Sequence, residues 1–143
     1  MRAAFHVFLP LLVGGMLYLC WRPQDILLFE WVAVLGMSDI VLSLRHIAGP
    51  TPDWAPASFI GSAPAALWQY SLSAALLLVW RRRLTRESVG WIALGLVVAW
   101  LAEIGQSIGC VPGAFDLGDL IFPLLAAGLA VVACTQANEV PAS

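Results

Sequence analysis

The chain contains no lysine, and its fixed positive charge rests on seven arginines. Charged residues make up only 11% of its 143 positions, against 61% hydrophobic, and the mean hydropathy is +0.88. That composition excludes an ordinary soluble domain. A formal charge of −2 offers no basic surface for nucleic acid. The three cysteines, Cys20, Cys110 and Cys134, have no paired or metal-ligand spacing, so neither a disulfide framework nor a zinc motif is expected. No HExxH and no Gly-x-Ser-x-Gly occurs, and His6 and His46 stand outside any catalytic spacing. The chain lacks an internal repeat and a pair of interrupted apolar segments in matching halves, which argues against a transporter. No cofactor and no metal is called for.

Long apolar runs are plentiful. Five segments, near residues 4 to 21, 26 to 44, 60 to 80, 89 to 109 and 118 to 134, predict an all-α polytopic bundle in the bilayer, one domain over 1 to 143. Four spans are the alternative, because Glu30 and Asp39 interrupt the second segment. Arg2 precedes the first run as in a signal peptide. No small-x-small site follows, and Leu17-Tyr18-Leu19-Cys20 makes a poor lipoprotein box, so this segment reads as a retained helix.

Arg81, Arg82, Arg83 and Arg86 crowd the link between the third and fourth spans, which the positive-inside rule places in the cytoplasm. Five spans then put Arg22 inside with them, leave Arg2 and Arg45 outside, and predict an external N-terminus and a cytoplasmic C-terminus. Tyr18, Trp21, Trp80 and Trp91 fall at the same cytoplasmic ends, as an aromatic belt would. At about 1.5 Å per residue, Glu103 and Asp39 lie roughly 20 Å from the inner edge, at one level. Arg45 sits just above one of them, and Gln106, Asp116 and Asp119 just above the other. An outward-facing polar pocket of Asp39, Arg45, Glu103, Gln106, Asp116 and Asp119 follows as the expected site, with Gln69 near its wall.

A carboxylate at membrane depth must face a partner, a cavity or water. Gly95, Ala99, Ala102 and Gly109 recur with Gln106 at steps of four and three, a small-residue seam suited to close helix packing, and Glu103 flanks it. Asp116 and Asp119 also suit a helix start, one capping free amides and the other complementing the positive helix end, after a turn at Pro112 and Gly113. Capping and a ligand role are compatible.

Glu103-x-x-Gln106, followed after a Gly/Pro turn by Phe115-Asp116-x-x-Asp119 and a small-residue helix, resembles the C-terminal half of VanZ-like membrane proteins. Tyr18 to Arg22 and Leu67 to Ser71 look like segments of a short subgroup of that family. The resemblance implies a small helical protein of the bacterial cell envelope, in a family named for a member linked to resistance to the glycopeptide teicoplanin. Gly113 and Ala114 stand where the family often carries a basic residue before the Phe-Asp pair, and Pro123 stands where it often carries Asn. These departures bear on transfer of a resistance activity more than on the fold.

Three functional classes follow. The first is a VanZ-like protein of the bacterial cytoplasmic membrane whose acidic pocket binds a lipid-linked precursor or a glycopeptide. The second is an accessory subunit that docks a membrane partner or a second copy through its small seams. The third is a membrane-embedded enzyme with Glu103 as acid or base.

Overall fold

A computed structural model describes residues 2–24, 27–53, 55–111 and 115–135, which form helices joined by short links, with no strand among them. The helices are α1 (Arg2–Trp21), α2 (Leu27–Val34), α3 (Ser38–Ala48), α4 (Ala57–Val79), α5 (Arg86–Ser107) and α6 (Gly118–Thr135). Three are long and apolar enough to cross a bilayer: α4, α5 and α6. α1 is a fourth apolar helix, shorter over its stretch Phe5–Trp21.

The expected five spans are therefore too many. The segment from 26 to 44 is divided between α2 and α3, of 8 and 11 residues. At about 1.5 Å per residue they reach only about 12 and 16 Å, half of a hydrocarbon core about 30 Å thick. Gly36 makes the break. At φ +69° it adopts a left-handed conformation that glycine takes without penalty. The Met37 N–H then donates to the Val32 carbonyl and the Gly36 N–H to that of Ala33, both at 3.0 Å. This 6→1 and 5→2 pair is a Schellman ending. Ser38 and Asp39 open the next helix.

The same ending closes α5, where Cys110 N–H reaches the Gly105 carbonyl at 2.8 Å and Gly109, at φ +73°, reaches that of Gln106 at 3.1 Å. It also closes α4, with Arg82 N–H on Leu77 and Arg81 N–H on Leu78. There the left-handed positions belong to Arg81 and Arg82, at φ +51° and +60°. α5 starts three residues earlier than the apolar run suggests, because Thr85 and Ser88 exchange side-chain to backbone hydrogen bonds in a capping box.

α4 sits at the centre, packed against α6, α1 and α5. It can do so because its buried positions are mostly small: Ser62, Ala63, Ser71, Ser73 and Ala74. Small residues let helix backbones approach where lipid provides no hydrophobic drive for association. Ala74 and Leu77 join Ile92 and Leu96 of α5 and Ala127 and Cys134 of α6 in one core cluster. Polar bridges bind α1 to α4: the Ser71 hydroxyl donates to the Val7 carbonyl at 2.6 Å, and His6 Nδ1 meets the Tyr70 hydroxyl at 2.7 Å.

One contact sets the relation between helix ends. Arg22, just past α1, lies 3.7 Å from Asp119 in the first turn of α6. Arg22 therefore stands at the opposite end of the bundle from Arg81 to Arg86, where the expected alternation had put them together. Ser62, near the start of α4, reaches Gly118 at that same end. The chain from 22 to 57 thus leaves and returns at one face, and a single crossing between them is geometrically excluded.

Gly14 tests the α1 to α4 contact. A Cβ there would stand 2.8 Å from Trp68 Nε1 and 3.2 Å from Leu67 Cβ, whereas one on Gly15 would meet nothing within 4 Å. Gly14→Ala is expected to destabilise the bundle by about 1–3 kcal/mol through overpacking. Gly15→Ala should be neutral or stabilising by up to about 1 kcal/mol through helix propensity. Thermal unfolding in detergent micelles separates the two.

Candidate functional site

The buried face of α5 carries Ser88, Ile92, Leu96, Glu103 and Gly105. Glu103 therefore lies on the packed face itself, not beside it, and is only 8% exposed. The expected small seam is realised in part. Gly95 lets Leu72 and Gln69 of α4 approach, so Gln69 sits about two turns below Glu103 and outside the cluster. Ala99 is half-buried, Ala102 is exposed, and Gly109 serves the helix ending.

Beyond that ending Val111 folds back onto Gly105, where a Cβ would stand 2.6 Å from its Cγ2. Pro112 and Gly113, expected to form the turn, lie outside the described residues. When the chain re-enters, the Asp116 N–H donates to Glu103 Oε2 at 3.2 Å. Asp116 then organises the start of α6, its Oδ1 accepting from the Gly118 N–H at 2.8 Å and its carbonyl from the Asp119 N–H at 3.0 Å. The capping role expected of Asp116 is thus present, and Glu103 orients the capping residue.

Asp119, also 8% exposed, faces Arg22. Arg22 in turn lies over the Tyr18 ring, 5.6 Å from its centroid. Arg45, at the end of α3, donates through Nη2 to the Arg22 carbonyl and stacks over Phe29 at 4.8 Å. A chain of polar contacts therefore runs from α3 through Arg22 to Asp119. Trp100 Nε1 adds a tie from α5 to the Leu120 carbonyl of α6 at 3.0 Å.

Five buried polar atoms have no partner among the described residues: Asp119 Oδ1, Ser62 Oγ, Trp21 Nε1, Arg22 Nε and Arg45 Nε. All belong to residues at this end of the bundle. Ser62 is fully buried, and the point where a Gly118 Cβ would sit is 2.7 Å from its Oγ and 3.1 Å from Asp116 Oδ1. Glycine at 118 is what lets the hydroxyl and the carboxylate share this space. Pro123 lies one turn after Asp119 and has no N–H to offer its carbonyl, which adds an acceptor beside the carboxylates.

Three of the six expected site residues, Glu103, Asp116 and Asp119, come together. Arg45 is joined through Arg22. Asp39 is exposed at the start of α3 and does not join, because the continuous helix that gave it the depth of Glu103 is broken at Gly36. Gln106 is half-buried, and its side chain forms no hydrogen bond to a described residue. Arg22 and Ser62 are new members. The alternation of five spans hid Arg22, and nothing in the spacing around Ser62 distinguishes it from packing serines.

Of the three carboxylates only Asp119 lies within 4 Å of a guanidinium, and the unpartnered atoms include three donors, Trp21 Nε1, Arg22 Nε and Arg45 Nε, beside the Asp119 acceptor. Buried polar atoms without partners are costly, so Asp119 Oδ1 favours an ammonium, a hydroxyl or water as a further partner, and the three N–H groups favour a hydroxyl or water. Among the described residues no three His, Cys, Asp or Glu side chains converge to hold a metal ion. Comparison of the chain with models of known protein families, with curated proteins and with solved structures finds no match.

The Glu103 to Asp116 bond generates a stability prediction. Glu103→Gln keeps an acceptor for the Asp116 N–H and should change stability by less than about 1 kcal/mol. Glu103→Leu orphans that amide and should cost about 1–3 kcal/mol. Equal thermal shifts for the two variants in detergent would show that the bond does not hold the turn.

Proposed function

We propose that the chain is a protein of the bacterial cytoplasmic membrane whose acidic cluster faces outward and binds an ammonium-bearing or polyhydroxylated group. A lipid-linked cell-envelope precursor or a glycopeptide carries such groups. The observation that supports this most directly is the pair of carboxylates, Glu103 and Asp119, each 8% exposed, with Asp119 Oδ1 and Ser62 Oγ unpartnered beside them. Ionised groups are retained at such depth when a partner stabilises them. The resemblance of Glu103 to Asp119 to the VanZ-like motif points the same way.

Orientation follows from the altered parity. With α1, α4, α5 and α6 crossing, Arg2, Arg81, Arg82, Arg83 and Arg86 share one side, and Arg22 and Arg45 the other. The bias is again five to two, and the positive-inside rule makes the first side cytoplasmic. Both termini then lie inside, in place of the external N-terminus that five spans implied.

The accessory-subunit alternative rested on free small-residue seams. Gly95 and Ala130 are taken up inside the bundle, whereas Ala102 and Gly128 remain exposed, so part of the seams stays available for docking. For the enzyme alternative the hydroxyl in the cluster, that of Ser62, hydrogen-bonds to no carboxylate among the described residues, and the described histidines lie elsewhere, His6 on Tyr70 and His46 exposed.

Two outcomes are expected. Glu103→Gln combined with Asp119→Asn leaves an oxygen acceptor for the Asp116 N–H and for Arg22, so folded yield should hold. Binding of an amine-bearing glycopeptide should weaken roughly 30- to 150-fold, since turning each charge-assisted bond into a neutral one costs about 1–1.5 kcal/mol. Unchanged binding and unchanged sensitivity to cell-wall antibiotics would sink the reading. Independently, reporters fused to either terminus should both score as cytoplasmic. An external N-terminus would restore a five-span topology.

A further inference from the structure

α3 is the most strongly two-faced helix in the chain. Val41 is buried, with Ser38, Leu44, Arg45 and Ala48 half-buried on the same side, a stripe that runs its full length against the protein. Of the remainder, Leu42, 53% exposed, faces the cleft with α2. Asp39, Ser43 and His46 form one exposed stripe at spacings of four and three, and Ile40 and Ile47, 56% and 82% exposed, form another. α2 ends in the same manner, with Trp31 58%, Val34 86% and the following Leu35 71% exposed, while Glu30 is exposed as well.

Neither uniform surrounding suits this division. Water would leave the apolar stripe and the hairpin tip solvated, whereas the bilayer interior would strip Glu30, Asp39 and His46 of water without a partner. Only the boundary between the two provides both surroundings. The segment is anchored at that level, because Arg45 holds the carbonyl of Arg22 at the end of α1. A cleft of about 350 Å³ between α2 and α3, walled by Phe29, Val32 and Leu42 with Gln24 and Glu30 at its polar side, gives acyl chains and head groups a place to enter.

We propose that α2 and α3 form an interfacial hairpin whose partner is the head-group and upper acyl region of one leaflet. Trp31, Val34, Leu35, Ile40 and Ile47 seat it in the leaflet, and Asp39, Ser43 and His46 face water, as in amphipathic helices that lie on a membrane. The inference needs the bundle to lie in a bilayer. It holds whichever face is outermost and whether or not the acidic cluster binds a ligand.

The test is a nitroxide scan of positions 39 to 47 in the full chain, carrying Cys110→Ser to remove the exposed thiol, in vesicles of phosphatidylethanolamine and phosphatidylglycerol. Labels at 40 and 47 should collide several-fold more with oxygen than with a water-soluble nickel chelate, and labels at 39, 43 and 46 the reverse. Oxygen dominance at every position would mean a buried or crossing segment, and nickel dominance at every position a segment in water. Protection of 40 and 47 from both would mean a protein partner or a second copy. Each of these overturns the proposal. If labelled variants do not insert, the difference in emission between the native chain and Trp31→Phe serves instead. It should be quenched more by bromines near the head group than by bromines at the chain ends, and the opposite order overturns the proposal.

Discussion

The pairing of Arg22 with Asp119 is the constraint from which the arrangement of this bundle follows. It joins the end of α1 to the start of α6, two points separated by nearly the whole chain, and so decides which helix ends lie together. Once they do, the 34 residues between 22 and 57 must leave and return at one face. The break at Gly36 is the local means of meeting that condition. Helix C-termini also have free carbonyls that are satisfied within the chain. That is why the same reversed ending closes α2, α4 and α5.

Much of the site was legible because its parts are close in sequence. Glu103, Asp116 and Asp119 flank one turn, and helix-start chemistry at Asp116 predicts a geometry that the Gly118 and Asp119 amides adopt. The apolar runs at α4, α5 and α6 were readable for the same reason, each being a local property of about 20 residues. Arg22 and Ser62 were not readable. They reach the cluster from α1 and α4, and spacing along a helix does not encode which neighbour it meets. Asp39 shows the complementary error. Its depth was computed along a helix assumed to be continuous, although Gly36 before Ser38-Asp39 carries both a stop and a start signal.

α4 connects these observations. Its buried face is mostly serine and alanine, with Ile60 and Leu77 toward its two ends, so it holds its neighbours largely by proximity and hydrogen bonds. Ser71 uses its hydroxyl on α1, while Ser62 brings an uncommitted one to the acidic end. The same short side chains that allow tight packing in the middle of the bundle thus leave polar capacity where α4 meets α6. A leucine at 62 would fill the space and offer the carboxylates nothing.

The link after α4 shows a different order of priorities. Arg81 and Arg82 both occupy left-handed backbone, where a residue with a Cβ is disfavoured by roughly 1–2 kcal/mol and glycine is at ease. Gly36 and Gly109 fill the equivalent place after α2 and α5. During insertion a chain is sorted by charge before its helices have packed, so the sign of a loop is read earlier than its strain is felt. On the topology proposed above, a glycine at 81 would relax the finished fold while weakening the signal that decides which way up it is made.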